Sequence, residues 1–317
     1  MSDNIKITNL NNNSIRELTY AQNGKIECDN GIITWKYVKG NTSSYRKIVF
    51  TNGTFIQYDI DGNPISGLYN KPDYAFQNLL SLAKSGGTLT IHFYTGNFRI
   101  YGPYRIYGNT TIRAPKNDVI FEKYYNSYTF INTDDDAAKA YNFNNGLYAG
   151  SGNITLENLQ FNARGYNPEV GKFIHAKGIN IFKCKVWNGK YNFHVFEFAC
   201  CQNVRVQGCT FQDLLVGIGE IKSGLHEVLQ IESAYKPSFP YCKYNKYGYS
   251  QRSDNVLISS CIFKNVLRGI GTHITNQDSE NYQKNITIQN CTFEGIVEYA
   301  INFECRSQVK IKSLKCK

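Results

Sequence analysis

A nine-residue segment recurs through the second half of the chain. It reads NITLENLQF from Asn153, GINIFKCKV from Gly178, NVRVQGCTF from Asn203, NVLISSCIF from Asn255, NITIQNCTF from Asn285 and QVKIKSLKC from Gln308. The starts at 153, 178, 203, 255, 285 and 308 step by 25, 25, 52, 30 and 23 residues. Short β-branched segments at such a period predict a parallel β-helix, in which each strand pairs with its equivalent one coil on. The step of 52 fits two coils, one carrying an insertion. Cys184, Cys209, Cys261 and Cys291 share one repeat position with Leu159 and Leu314, so they are expected to stack inside. Phe161, Phe211, Phe263 and Phe293 form a second internal ladder two residues on. The leading Asn belongs in a bend, where its amide can join a ladder and its backbone tolerates unusual angles.

Upstream, KPDYAFQNLLSLAKSGG reads as a short helix. Pro72 and Asp73 start it, Ala75, Phe76, Leu79, Leu80 and Leu82 supply an apolar stripe, and Gly86 and Gly87 end it. Placed before the strands TLTIHF and TTIR, it is expected to cap the first coil. Residues 1–69 have another texture, with short strands joined by DNG, TNG and DGNP turns, and are expected to form a small β-rich N-terminal (adaptor) module. Residues 70–317 form the solenoid. The last repeat stops without a closing segment, so either the natural chain continues or a partner covers that end.

With 35 basic and 25 acidic residues the formal charge is +10, which favours anionic partners such as acidic polysaccharide. Lys and Arg are scattered along the sequence rather than clustered, so nucleic acid is not expected as a partner. The ten cysteines lack CxxC spacing and lie in apolar runs, which favours buried thiols over metal ligands. No metal and no cofactor is expected. No apolar run approaches the ~20 residues that span a bilayer, so membrane insertion is not expected. The N-terminus lacks a signal-peptide core. An extracellular or virion-associated protein would then be delivered by another route.

AFQNLLSLAKSGGTLTIHFYTGNFRIYGPYRIYGNTTIRAP resembles the start of pectate-lyase-like right-handed parallel β-helix domains, and the NVRVQGCTF coils match them as well. LHEVLQIES and RGIGTH resemble bacterial and phage members of that superfamily, including tailspike polysaccharide depolymerases. The likeness covers about residues 70 to 317. It implies a right-handed all-β solenoid and, for tailspike-type members, a homotrimer. The Asn-Thr-Asp, Asp-Asp, Gly-His-Gly and Arg-Ile-Lys motifs of galacturonan hydrolases are missing where expected. So are the strand-borne aspartates of calcium-dependent pectate lyases. The TDDDA run from Thr133 reads as a solvated loop. Neither standard pectin chemistry is expected.

The stretch GLHEVLQIES, Gly224 to Ser233, alternates apolar Leu229 and Ile231 with Gln230 and Glu232. Aligning FEF (196–198), LQI (229–231), THI (272–274) and INF (301–303) by their apolar flanks puts Glu197, Gln230, His273 and Asn302 in one outward column. Two residues on, Ala199, Glu232, Thr275 and Glu304 form another, and His226 precedes the same strand. Glu197 and Glu232 would lie about 8 Å apart by backbone, given ~4.8 Å between strands, a spacing compatible with two carboxylates flanking a glycosidic bond. Glu232, Glu197, His226 and His273 are the catalytic candidates. Gln230, Arg268, Asn302 and Glu304 are candidate substrate ligands, Arg268 for an anionic group. Tyr235, Tyr241, Tyr244 and Tyr247 in the long insertion YKPSFPYCKYNKYGYSQRS are candidate sugar-stacking residues. Each residue also has a plain reading, because a solvent-facing sheet needs polar residues anyway.

The leading expectation is a carbohydrate-active protein that degrades a bacterial surface or extracellular polysaccharide. It would be a phage tail-associated depolymerase, a glycoside hydrolase before a uronate lyase. The alternative is a glycan receptor-binding protein that does not cut.

Overall fold

In the computed structural model the described residues are 4–9, 14–19, 25–65, 76–132, 148–191, 193–218, 226–233, 252–272, 283–303 and 307–317. The repeats build three faces of a parallel β solenoid. On the first face eight parallel strands follow one another: Thr88–Tyr94, Thr110–Arg113, Ile154–Glu157, Lys177–Phe182, Gln202–Gln207, Asp254–Ser259, Lys284–Gln289 and Val309–Lys312. Their register runs Ile91, Ile112, Leu156, Ile181, Val206, Ile258, Ile288, Ile311. Val204 pairs directly with Val256, so the step of 52 residues is a single coil with a long insertion, not two coils.

The second and third faces belong to one sheet, because Ile262–Thr272 and Thr292–Phe303 run unbroken around the corner between them. On the second face Phe98, Phe121, Phe161, Val186, Phe211, Phe263 and Phe293 stack in register. The Phe263 and Phe293 rings lie 4.8 Å apart and nearly parallel. Period-two alternation sends these rings inward and their neighbours outward.

The corners depend on left-handed backbone. Asn109, Asn153, Asn203, Asn255 and Asn285 all have φ between 52° and 58°. Asn tolerates this region better than other residues with a Cβ. Its amide also bridges coils: Asn153 Nδ2 donates to Asn109 Oδ1 at 3.1 Å, and Asn255 Nδ2 to Asn203 Oδ1 at 2.7 Å. Cys184, Cys209, Cys261 and Cys291 are buried in the core, and the described cysteines are free thiols. Cys209 Sγ donates to the Ile181 carbonyl at 3.4 Å and Cys261 Sγ to that of Val206 at 3.5 Å. Burial, then the adjoining Cys184 thiol, pushes the Cys209 thiol well up, which makes it inert.

Each face of the first coil meets something different at its outer edge. Asn30–Lys39 pairs antiparallel with Thr88–Tyr94 and continues into Thr42–Thr51 and Thr54–Tyr58. Ile26–Cys28 pairs antiparallel with Gly96–Ile100. Ile33, Trp35, Ile48 and Phe50 from these strands join the main core. The strands of the 1–69 segment from Ile26 to Tyr58 thus continue the faces built by residues 70–317, and the boundary at Tyr69 lies outside the described residues. Asn4–Asn9 and Ser14–Thr19 form a two-stranded antiparallel sheet. The described part of the helix is Phe76–Leu80, followed by a 3₁₀ turn Ser81–Ser85 ended by Gly86 at φ 89°, and the expected start at Pro72 and Asp73 lies outside the described residues. Its Phe76 ring packs 5.0 Å from that of Tyr104, and Gln77 meets the third face at Arg105.

Candidate active site

The third face is formed in its middle coils by Gly171–Ile174, Phe196–Ala199, Glu227–Glu232 and the second part of Ile262–Thr272. Phe196 and Phe198 pair with Leu229 and Ile231 on the inner side. The alternate residues form a polar column: Lys172 pairs with Glu197, Glu197 with Gln230, Gln230 with Gly271, and Gly271 with Asn302. Glu232 stands in the next column opposite Ala199.

These side chains turn away from the solenoid core, yet they are covered. Glu197 is 3% exposed, Gln230 1%, and Glu227 and Glu232 0%. Buried charge must be compensated by partners or by protonation. Lys172 Nζ lies 2.7 Å from Glu197 Oε2 and 3.7 Å from Glu169 Oε1, an ion-pair node rather than a set of well-aligned hydrogen bonds. Gln230 Nε2 donates to Glu232 Oε2 at 2.7 Å. Burial pushes the Glu232 carboxyl well above the ordinary carboxylate range, and the charge of Glu197 beside it pushes further; Lys172 opposes both. Glu232 therefore keeps its proton to higher pH than an ordinary carboxyl does.

Glu232 stands one strand and two residues on from Glu197, the backbone offset expected from the sequence. Carboxylates on either side of a glycosidic bond stand ~5–9.5 Å apart. A carboxyl of raised proton affinity beside a second carboxyl can hold and release one proton.

Gln230 and Asn302 occupy the expected column. The third member is Gly271 rather than His273. The apolar flanks of THI had slipped the alignment by two residues, and a two-residue slip leaves the inward and outward pattern unchanged. A Cβ on Gly271 would overlap the Asn302 carbonyl oxygen and lie 3.2 Å from Glu227 Cγ. Arg268 is not an open anion site. It is 6% exposed, with Nη1 3.5 Å from Glu227 Oε1, Nε 2.5 Å from Glu298 Oε2, and its guanidinium over the Tyr299 ring. His226 is half-buried, and its ring centre is 5.3 Å from that of His194. His194 Nδ1 donates to the Glu227 carbonyl at 2.7 Å. His273, Glu304, Tyr235, Tyr241, Tyr244 and Tyr247 lie outside the described residues, as does the TDDDA run.

The sequence reading missed Lys172, Glu169, Glu227 and His194. Lys172 was within reach, because one repeat step of 25 residues back from Glu197 lands on it. Glu227 stands in GLHEVLQIES itself, next to His226. Nothing in the repeat marks Glu169.

No protein-family model and no curated protein matches the chain. Among solved structures, it is similar to the Streptococcus pneumoniae surface protein and adhesin PfbA. The TM-score is 0.56 at 19% identity, over 75% of this chain and 61% of that one. It is also similar to ORF18 of Geobacillus virus E2, with TM-score 0.52 at 12% identity, over 74% of this chain and 46% of that one. The chain spans less than two thirds of either protein. At these identities the likeness is one of fold, which this chain shares with a bacterial surface protein and a viral protein.

Proposed function

We propose that the chain is a carbohydrate-active β-helix protein that cleaves a bacterial surface or extracellular polysaccharide from its third face, with Glu232 as proton donor. The observation that carries this reading is the buried Glu232, held by Gln230 and raised in proton affinity by burial and by Glu197, with Lys172 paired to Glu197. A carboxyl whose proton affinity is raised suits a general acid for a glycosidic leaving oxygen. In this reading Glu197 raises the proton affinity of Glu232 and Gln230 fixes its orientation. A uronate lyase is less well supported, because Glu227 and Glu298 already take the charge of Arg268. The fold shared with a surface adhesin and a viral protein supports placing the chain outside a cell or on a virion. A homotrimer remains a proposal that sedimentation tests.

The second reading is glycan binding without cleavage. It is favoured by the burial of Glu197 and Glu232, at 3% and 0% exposure. Incubation with bacterial polysaccharides, following chain length and reducing ends, separates the two. The hydrolase reading expects fragments from the wild type, at least about a hundredfold slower release from Glu232→Gln, and retained binding. Binding without fragments over long incubation leaves the adhesin-type reading and sinks the enzyme.

A further inference from the structure

The first face carries a positive stripe that the linear sequence hides. Its outward residues fall in two columns. One runs Lys47, Thr34, His92, Arg113, Glu157, Phe182, Gln207, Ser259, Gln289, Lys312. The other contains Tyr45, Lys36, Thr90, Thr111, Thr155, Asn180, Arg205, Leu257, Thr287, Lys310. Lys36, Lys47, Arg113, Arg205, Lys310 and Lys312 meet a single acidic residue in these columns, Glu157. All six except the half-buried Lys47 are exposed. At the bordering bend Asp254 pairs in register with Lys284 and does not reverse the sign. Lys310, Arg205 and Arg113 are each three strands apart, about 14 Å along the solenoid.

We infer that this face is a binding surface for an acidic polysaccharide, lying on a different face from the Glu197 and Glu232 pair. The inference rests on the polysaccharide reading above and names the substrate as polyanionic. Charge complementarity selects an anionic partner. What lies between the cations selects the kind. Thr90, Thr111, Thr155, Asn180 and Thr287 present hydroxyls and an amide along a flat face, groups that hydrogen-bond sugar hydroxyls. The aromatic residues in the two columns are Tyr45 and Phe182, too few for the successive base-stacking platforms of a single-strand binder. A flat sheet face also presents no element to enter a duplex groove. The third-face cluster differs in kind, because its cations Lys172 and Arg268 are already matched by carboxylates.

The test uses the full chain and sodium polygalacturonate, with dextran and an oligodeoxythymidylate as comparison ligands. Binding is followed by interferometry at two salt concentrations, on the wild type, Glu232→Gln, and a variant combining Arg113→Glu, Arg205→Glu, Lys310→Glu and Lys312→Glu. Melting curves check that the variants fold, and an Arg113→Gln, Arg205→Gln pair serves if the reversal does not. The expected result is polygalacturonate binding that weakens with salt and falls by about tenfold or more on reversal. Equal polygalacturonate affinity in the reversed or neutralised variant overturns the inference. So does oligodeoxythymidylate bound as tightly as polygalacturonate, which would make the stripe a nucleic-acid surface. Loss of cleavage in Glu232→Gln bears on the hydrolase reading alone, so the two failures are distinguishable.

Discussion

Lys123 is fully buried, and its Nζ donates to the carbonyls of Ser127 at 2.7 Å and Glu169 at 2.9 Å. Burial lowers it to about 7 from an ordinary 10.5. Between those values the unfolded chain holds a proton that the folded chain has released, so stability rises with pH across the window. The expected slope is about 1.4 kcal/mol per pH unit, read from urea midpoints between pH 7 and 10. Lys123→Met should remove that slope while costing about 1–3 kcal/mol overall for the two carbonyls left unpaired. An unchanged slope in the variant would assign it elsewhere. Glu232 titrates in the opposite sense. Its folded value is raised, so its contribution is full at low pH and fades as pH rises above the ordinary 4.5. Cleavage by a Glu232 acid should likewise fall as pH passes its raised value, a limb absent from any residual rate of Glu232→Gln. The sequence disclosed Glu232 and Glu197 because both sit at alternating positions of apolar strands. It could not disclose their burial, which depends on what covers a face.

Elements were legible in proportion to how far they repeat. The Asn-led strands and their steps carry over into the first-face register residue by residue, because β-branched alternation and a bend residue recur together. The third face has no such punctuation. In RGIGT the glycines contribute no side chain to the alternation, so His273 was assigned the place that Gly271 holds. The Asn corners also allow a graded test. Asn203 has φ 58° and its Oδ1 accepts from Asn255. Asn203→Ala should cost about 1–2 kcal/mol, for left-handed strain and for the lost bond. Asn203→Gly loses only the bond and should cost less, although glycine adds some unfolded-state entropy. Chemical denaturation in which the two variants are equal would mean that the left-handed angle carries no penalty there. Gly271→Ala should be worse than Asn203→Ala, because its Cβ meets the Asn302 backbone rather than open space.

At the scale of the molecule, a solenoid gathers what the sequence scatters. One cation every few coils looks dispersed in the chain, yet the pairing order aligns Arg113, Arg205, Lys310 and Lys312 on one face. The same stacking leaves open edges that must be satisfied. On the first two faces of the first coil, antiparallel strands fill them. The third face begins at Tyr104–Arg105, which pairs with Phe130–Ile131 on one side. On its other side the Gln77 side chain imitates a strand. Gln77 Nε2 donates to the Arg105 carbonyl at 3.1 Å, and the Arg105 amide donates to Gln77 Oε1 at 2.6 Å. A helix residue thereby closes a sheet ladder, a role that the apolar stripe of AFQNLLSLAK did not reveal. Gln77→Ala leaves both backbone groups without that partner and should cost about 1–3 kcal/mol. Gln77→Glu keeps an acceptor for the Arg105 amide but sets a carboxylate against its carbonyl, and should lie near the alanine variant. Native-state hydrogen exchange is the sharper readout: the Arg105 amide should lose protection in Gln77→Ala, while amides of the middle coils such as Val206 and Leu229 keep theirs. Uniform loss along the whole solenoid would instead mean that Gln77 holds the first coil for the entire stack, and that the coils unfold as one unit rather than from an end.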